Sequence, residues 1–155
     1  MNSIFESIKH LLASYCVEFR EVHHEPTRTS EESARARGES VAIGGKAILM
    51  KVDDDFKLFV ISAARKIDSR KIKKLFSAKR LRFASSDELL QHTGLVPGSV
   101  PPFGNPILPF DLFIDVSIEQ NEKIAFNAGS LTDSIIMNTA DYLRVSGGRV
   151  LEFSE

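Results

Sequence analysis

The sequence predicts an α/β chain of the α+β kind: a mixed, largely antiparallel sheet or open barrel surrounded by short helices. Three observations carry that prediction. Short apolar runs recur along the chain and read as strands. Several of them are separated only by tight polar turns, which favour antiparallel neighbours. Short helical patterns with legible caps lie between the others, and neither a G-x-G-x-x-G nor a P-loop sequence is present to support a doubly wound sheet.

Taken in order, Ile4, Phe5, Ile8, Leu11 and Leu12 recur at helical spacing, so the first helix covers residues 3–14. Val17 and Phe19 alternate with polar residues in V-E-F-R and predict a strand. Pro26 disfavours helix at Glu25. Thr29 followed by Glu32 has the spacing of a capping box, and Gly38 ends the short helix it opens. AILMKV (47–52) and FKLFVIS (56–62) flank Asp53–Asp54–Asp55 and form a hairpin. Asp68 caps the helix DSRKIKKLF, expected to bury Ile72, Leu75 and Phe76. KRLRF is a short strand. Ser85 and Glu88 cap the helix SSDELLQHT, which stops at Gly94. DLFIDVSI and EKIAFNA read as strands joined by a polar turn at Gln120–Asn121. SIIMN is a further strand, TADYLRVS a helix ending at Gly147–Gly148, and RVLEF a last strand.

The 155 residues suffice for one domain, 1–155, with its own core. No long apolar run could cross a membrane. The N-terminus MNSIFESIKH carries an acid and no apolar h-region, unlike a secretory signal, so the expected location is cytoplasmic. Cys16 is the single cysteine, which excludes an internal disulfide. Four histidines without H-x-x-x-H or C-x-x-C spacing give no expectation of a metal. The net charge of −1 hides an asymmetry: residues 65–82 hold nine Lys or Arg and one acid, a local charge of +8. A basic island on a nearly neutral chain fits either a solvated helix face or a polyanion held at one surface.

A nucleophilic site is not apparent. There is no G-x-S-x-G elbow, Cys16 lies among apolar neighbours where packing is expected, and the aspartates at 53–55 are explained by a turn. Lys46 is more pointed. It stands in G-G-K-A-I-L-M-K, after two glycines and before an apolar strand, where a compact cation suits a phosphate. V-P-G-S-V-P-P-F-G-N-P (96–106) has four prolines and two glycines in eleven positions. Proline fixes φ and glycine uncovers backbone amides, so the stretch suits either a recognition wall or a loop stiffened for stability. F-N-A-G-S-L-T-D-S (126–134) offers donors and acceptors of a polar rim, or an ordinary turn. His23 and His24 precede Pro26 in a loop.

Together these segments resemble the YbaK/prolyl-tRNA synthetase editing-domain family. H-E-P-T-R-T-S-E-E from His24, G-K-A-I-L-M-K from Gly45, D-S-R-K-I-K-K-L from Asp68, G-S-V-P-P-F-G from Gly98, F-N-A-G-S from Phe126 and D-Y-L from Asp141 occur in that family's order over nearly the whole chain. The lysine after a small residue and the G-x-x-x-P stretch from Gly98 to Pro102 are the most specific. The resemblance implies a YbaK-like fold and a trans-acting aminoacyl-tRNA deacylase. Such an enzyme cleaves the ester of a mischarged small amino acid from tRNA(Pro) or a related tRNA. It uses positioned water or substrate-assisted chemistry and no cofactor. A second sieve of this kind is needed because one methylene gives a synthetase only about 1–3 kcal/mol of discrimination.

By the same resemblance, Lys46 is the essential lysine, holding the phosphate and ribose of the 3′-terminal adenosine. Gly98, Ser99, Pro102 and Gly104 contact the aminoacyl group. Asn127, Gly129 and Ser130 line its side-chain pocket, with His24 and Thr29 on the rim. Lys66, Arg70, Lys73, Lys74 and Arg80 give the basic island a role on the acceptor stem through phosphate contacts. The partners implied are aminoacyl-tRNA and an aminoacyl-tRNA synthetase, not DNA or a membrane. Gly44–Gly45, Ser99 and Pro101 depart from the family's pattern and bear on amino-acid specificity, with Ala, Cys, Ser and Thr as candidates. The competing expectations are a non-catalytic tRNA- or synthetase-binding module of the same fold, and a hydrolase of another small ester.

Overall fold

The structure, a computed structural model, describes residues 3–155. In chain order the elements are α1 (Ile4–Ser14), β1 (Phe19–His23), α2 (Ser30–Arg37), a 3-10 turn (Val41–Ile43), β2 (Gly45–Val52), β3 (Asp55–Ser62), α3 (Ser69–Phe76) and β4 (Leu81–Phe83). They continue with α4 (Ser86–Thr93), β5 (Leu112–Asp115), α5 (Val116–Glu119), β6 (Lys123–Asn127), β7 (Asp133–Asn138), α6 (Thr139–Ser146) and β8 (Arg149–Leu151).

The strands form two sheets. One is antiparallel, with order β1-β7-β6. The other is mixed, with order β4-β2-β3-β5-β8; β2 pairs antiparallel with β3 and β4, whereas β5 pairs parallel with β3 and with β8. The sheets meet where Gly44 bridges Ala125. Gly45 makes this junction possible: a Cβ there would come within 2.6 Å of Ile124 Cδ1. The main core lies between the sheets and α1 and α6, from Ile8 and Leu12 to Tyr142 and Val145. A second cluster, with Met50, Phe59, Ile72, Phe113 and Phe153, fills the other face of the five-stranded sheet beneath α3. Among the described residues no helix is long and apolar enough to cross a membrane.

The caps at Asp68 and Ser85 work as their sequences predict, and the one at Thr29 in half. Thr29 accepts from the Glu32 N–H and Gly38 closes α2 at φ 72, but among the described residues the Glu32 side chain makes no return bond, so the capping box expected there is incomplete. Asp68 accepts from the Arg70 and Lys71 N–H groups. Ser85 and Glu88 form a reciprocal capping box.

Four local expectations need correction. The strand expected from Val17 begins at Phe19, because the Val17 N–H still closes the end of α1 on the Leu12 carbonyl. Cys16, in the same turn at φ 57, is exposed rather than packed. Leu75 is 46% exposed, because Ile72 and Phe76 alone fill the contact with the sheet beneath α3. DLFIDVSI is a strand only to Asp115, whose carboxylate accepts from the Ser117 N–H and turns the chain into α5. The turn at Gln120–Asn121 therefore carries the chain from one sheet to the other and does not close a hairpin.

Candidate functional site

β4 pairs only with Met50, Lys51 and Val52, and its ladder closes with Ala84 N–H on the Leu49 carbonyl. The first half of β2 is left without a neighbour on that side. A cavity of about 480 Å³ opens there. Its walls are α2 and the segment before it, the start of β2, the segment from Phe83 into α4, Pro97, Gly98 and Val100, and Asn127. The lining contains three cations, Arg28, Arg37 and Lys46, and no Asp, Glu, His or Cys. Its ionisable lining is therefore cationic, and its serines and threonines have no histidine or carboxylate in the lining to act as base.

Lys46 stands at the mouth, exposed, with no ion-pair partner among the described residues. Alternate residues of a strand share a face, so Lys46 lies on the side of Ile48, Met50 and Val52, the side that α3 covers. At the opposite depth is Arg37, 7% exposed. Its Nε donates to Ser134 Oγ at 3.0 Å and its Nη2 to Asn127 Oδ1 at 3.1 Å. Burial without a carboxylate lowers its pKa to about 10. Asn127 also accepts from the Ser134 hydroxyl and donates its amide to the Gly98 carbonyl at 2.7 Å. Beside this network the Thr27 and Ser33 hydroxyls, both buried, hydrogen-bond each other at 2.7 Å.

Four of the residues singled out in the sequence meet in this cavity: Lys46, Thr29, Gly98 and Asn127. The others do not line it. His24 sits behind Ser134, its Nε2 2.8 Å from that hydroxyl and its Nδ1 2.8 Å from the Glu25 carbonyl. Ser99 is buried, its hydroxyl donating to the Val96 carbonyl and its own carbonyl accepting from the Gly129 N–H. The Pro102 carbonyl accepts from the Tyr142 hydroxyl at 2.6 Å. Gly104 is packed so tightly that a Cβ would overlap the Phe110 carbonyl oxygen. Gly129, at φ 80, touches Ile4 of α1, and Ser130 pairs with Thr132 in a local turn. Residues 99–104 are buried throughout, so most of the proline-rich stretch is core and only its leading edge faces the cavity.

Lys66, Arg70, Lys73, Lys74 and Arg80 are all exposed, on and around α3. Arg80 reaches Asp54 at 3.4 Å; the other four make no ion pair among the described residues. Arg37 itself was not singled out by sequence reasoning. In S-E-E-S-A-R-A-R it looks like a cation complementing the helix C-terminus. The signal that marks it is spacing: Ser33, Ala34 and Arg37 fall at i, i+1 and i+4 on one face, and two of the helix's small residues share that face with the arginine.

Residues 24–145 match the family model described as the aminoacyl-tRNA editing domain. The chain belongs to this family. An editing-domain relative from Escherichia coli (strain K12), the multifunctional Ser/Thr-tRNA deacylase ProXp-y, is 34% identical over 149 residues, covering 92% of this chain and 88% of that protein. A proline–tRNA ligase of Bacillus licheniformis is 32% identical over 111 residues, covering 72% of this chain but 19% of the ligase. The crystal structure of a candidate trans-editing enzyme for prolyl tRNA synthetase superposes with a TM-score of 0.84 at 22% identity, covering 100% of this chain and 99% of that one. The editing-domain fold is therefore shared in full, including the mixed sheet that carries the cavity.

Proposed function

We propose that this chain is a trans-acting aminoacyl-tRNA deacylase that removes a small, hydroxyl-bearing amino acid, serine or threonine, from a mischarged tRNA, with tRNA(Pro) the first candidate. The observation that carries the reading is the cationic, carboxylate-free cavity in a chain that matches a Ser/Thr-tRNA deacylase over 88% of that protein's length. Matches to proline–tRNA ligases support the choice of tRNA.

In this reading the 3′-terminal adenosine enters across the rim. Lys46 holds its phosphate and ribose, and Thr29 lies beside it. The aminoacyl group passes between Gly98 and α2 toward Asn127. Ser99, Pro102, Gly104, Gly129 and Ser130 act from behind, by fixing the backbone that positions Gly98, and His24 acts through Ser134. A water oxygen attacks the ester carbonyl carbon. The bond from that carbon to the ribose oxygen breaks, and the ribose oxygen leaves with a proton. With no Asp, Glu, His or Cys in the lining, the water's proton reaches the departing ribose oxygen by way of the substrate's own amine or a relay through the neighbouring ribose hydroxyl. Positioning then supplies much of the acceleration. Lys66, Arg70, Lys73, Lys74 and Arg80 take the acceptor stem through its phosphates. Residues 1–155 work as one editing domain in the cytosol, with a synthetase as a further partner.

The test is hydrolysis of a panel of tRNAs charged with labelled Ala, Cys, Ser and Thr, by wild type and by Lys46→Ala. Cleavage of at least one ester far above its spontaneous rate is expected, with loss in the lysine variant and an unchanged circular dichroism spectrum. Salt-dependent tRNA binding without cleavage would instead make the chain a binding module. Full activity in Lys46→Ala would remove the lysine from the mechanism.

A further inference from the structure

Arg37 is an unusual group to find at the inner wall of a pocket. A buried guanidinium is costly unless its charge and all its donors are satisfied. Here two of its nitrogens are: Nε by Ser134 and Nη2 by Asn127. The third, Nη1, makes no hydrogen bond among the described residues. Nor is it sealed away, since among the described residues only the Thr139 hydroxyl is both buried and without a partner. Nη1 therefore opens onto the cavity that Arg37 lines. Nη1 lies beside Gly44, which lines the same cavity: a Cβ built on that glycine would stand 3.7 Å from it. Among the described residues no acid lines the cavity and none forms an ion pair with Arg37.

The direction and chemistry of this group select a ligand. Arg37 is held rigid by Ser134 and Asn127, so Nη1 offers a donor at a fixed place. A guanidinium has donors and no acceptor. It therefore favours an oxygen lone pair, gains nothing from a methyl group and repels an ammonium. The wall around it is polar as well, with the paired Thr27 and Ser33 hydroxyls and the Asn127 amide. An alanine side chain would need none of these groups.

We propose that Arg37 is the specificity-determining residue of the pocket, donating from Nη1 to the side-chain hydroxyl of the aminoacyl group and so favouring serine and threonine over alanine. This rests on the deacylase reading and deepens it. A site built to hydrogen-bond a substrate hydroxyl rejects the analogue that lacks it, because its own polar group is then left unpaired. Ser134 and Asn127 are positioning residues in this scheme, acting on the substrate through Arg37.

The experiment measures kcat and KM on Ser-, Thr- and Ala-tRNA for wild type, Arg37→Met and Arg37→Gln, with a thermal melt of each protein. Wild type is expected to prefer the Ser over the Ala ester. Arg37→Met is expected to reduce the Ser-to-Ala ratio of kcat/KM by about 10- to 100-fold, the worth of one hydrogen bond from a charged donor. Arg37→Gln places an amide nitrogen where the Arg37 Nε stands, within reach of Ser134, but ends before the terminal nitrogens and so removes the Nη1 donor while keeping the position polar. It decides the matter by the same ratio should Arg37→Met not fold, and a ratio unchanged in it would then overturn the proposal. An equal loss on all three esters in a folded Arg37→Met protein would overturn it, since Arg37 would then serve the carbonyl that every substrate shares. So would a ratio that does not move, or a wild type indifferent to the hydroxyl. A wild type that cleaves no ester at all removes the deacylase reading itself, and that result is distinct because it is read before any variant is compared.

Discussion

Replacing Tyr142 by Phe isolates a polar bond that ties α6 to the proline-rich loop. Tyr142 is fully buried, its ring 5.4 Å from that of Phe103 and 6.4 Å from that of Phe126. Its hydroxyl donates to the Pro102 carbonyl. Burial pushes the phenol far above its ordinary pKa, so the group remains a donor at any working pH. Phenylalanine keeps the ring and its packing. What is lost is one hydrogen bond, and what remains is a buried carbonyl without a partner, a cost of about 1–3 kcal/mol. For a chain of this size each kcal/mol lowers Tm by roughly 2–4 °C, so the variant melts about 2–12 °C below wild type. Urea denaturation at constant m gives the same loss independently. Gly98 is still held by Asn127 at 2.7 Å, so the kcat/KM on the preferred ester falls by less than about tenfold, the equivalent of 1.4 kcal/mol at the transition state. A stability loss under about 0.5 kcal/mol would show that the loop does not depend on α6, and would refute the reasoning.

Other perturbations test other parts of the structure. Gly45→Ala places a methyl against Ile124, itself 1% exposed, and is expected to cost about 1–3 kcal/mol by overpacking the sheet junction, read by urea denaturation. Burial alone would raise the pKa of Asp115, but donors from Ser117, Phe153 and Ser154 outweigh it and hold the carboxylate below its usual range. A depressed folded pKa gives stability that is present above the unfolded value, about 3.9, and is lost as pH falls through the folded one. Asp115→Asn is therefore expected to be less stable at neutral pH and to show a shallower loss below about pH 4 in an acid titration followed by circular dichroism. Changing Lys66, Arg70, Lys73 and Lys74 together to Ala should weaken tRNA binding and reduce the slope of log affinity against log salt by about 3–4, measured by filter binding across a KCl series. An unchanged slope would move the acceptor stem off α3.

How much of this was legible in the sequence depended on whether the signal was local. Helix caps were: Thr29, Asp68 and Ser85 act on backbone groups two or three residues away. The hairpin at Asp53–Asp55 was, because both strands and their turn are contiguous. The parallel pairing of β5 with β3 and β8 was not, since nothing near residue 112 names a partner some fifty residues earlier. The site divides in the same way. Lys46 and Gly98 stand in marked contexts, one after two glycines and one between prolines. Arg37 faces inward only because Ser134 and Asn127, about a hundred residues later, arrive with their acceptors. The composition of the proline-rich stretch fitted a recognition wall and a stiffened loop equally well, because composition does not say which residues the fold covers. Residues 99–104 pack against Tyr142, Phe126 and Phe110, and Gly98 alone of the singled-out residues there faces the cavity.

Lys46 and Arg37 are not interchangeable, and the difference explains how one small cavity can serve two ends of a substrate. A lysine in water, free of any acid, is a hydrated point charge on a flexible stem. It can follow a phosphate whose position varies as a tRNA end settles, and its exposure costs little. A guanidinium in the interior has the opposite character. Its planar fork is fixed by Ser134 on one nitrogen and Asn127 on another, so the third nitrogen is aimed before any ligand arrives. Lysine at 37 would keep the charge but lose the fork that aims it. Arginine at 46 would keep the proposed phosphate contact but bring a planar head into the mouth by which the aminoacyl group enters in that proposal. The proposed division of labour, capture at the rim and reading at the wall, therefore follows from where each cation meets water.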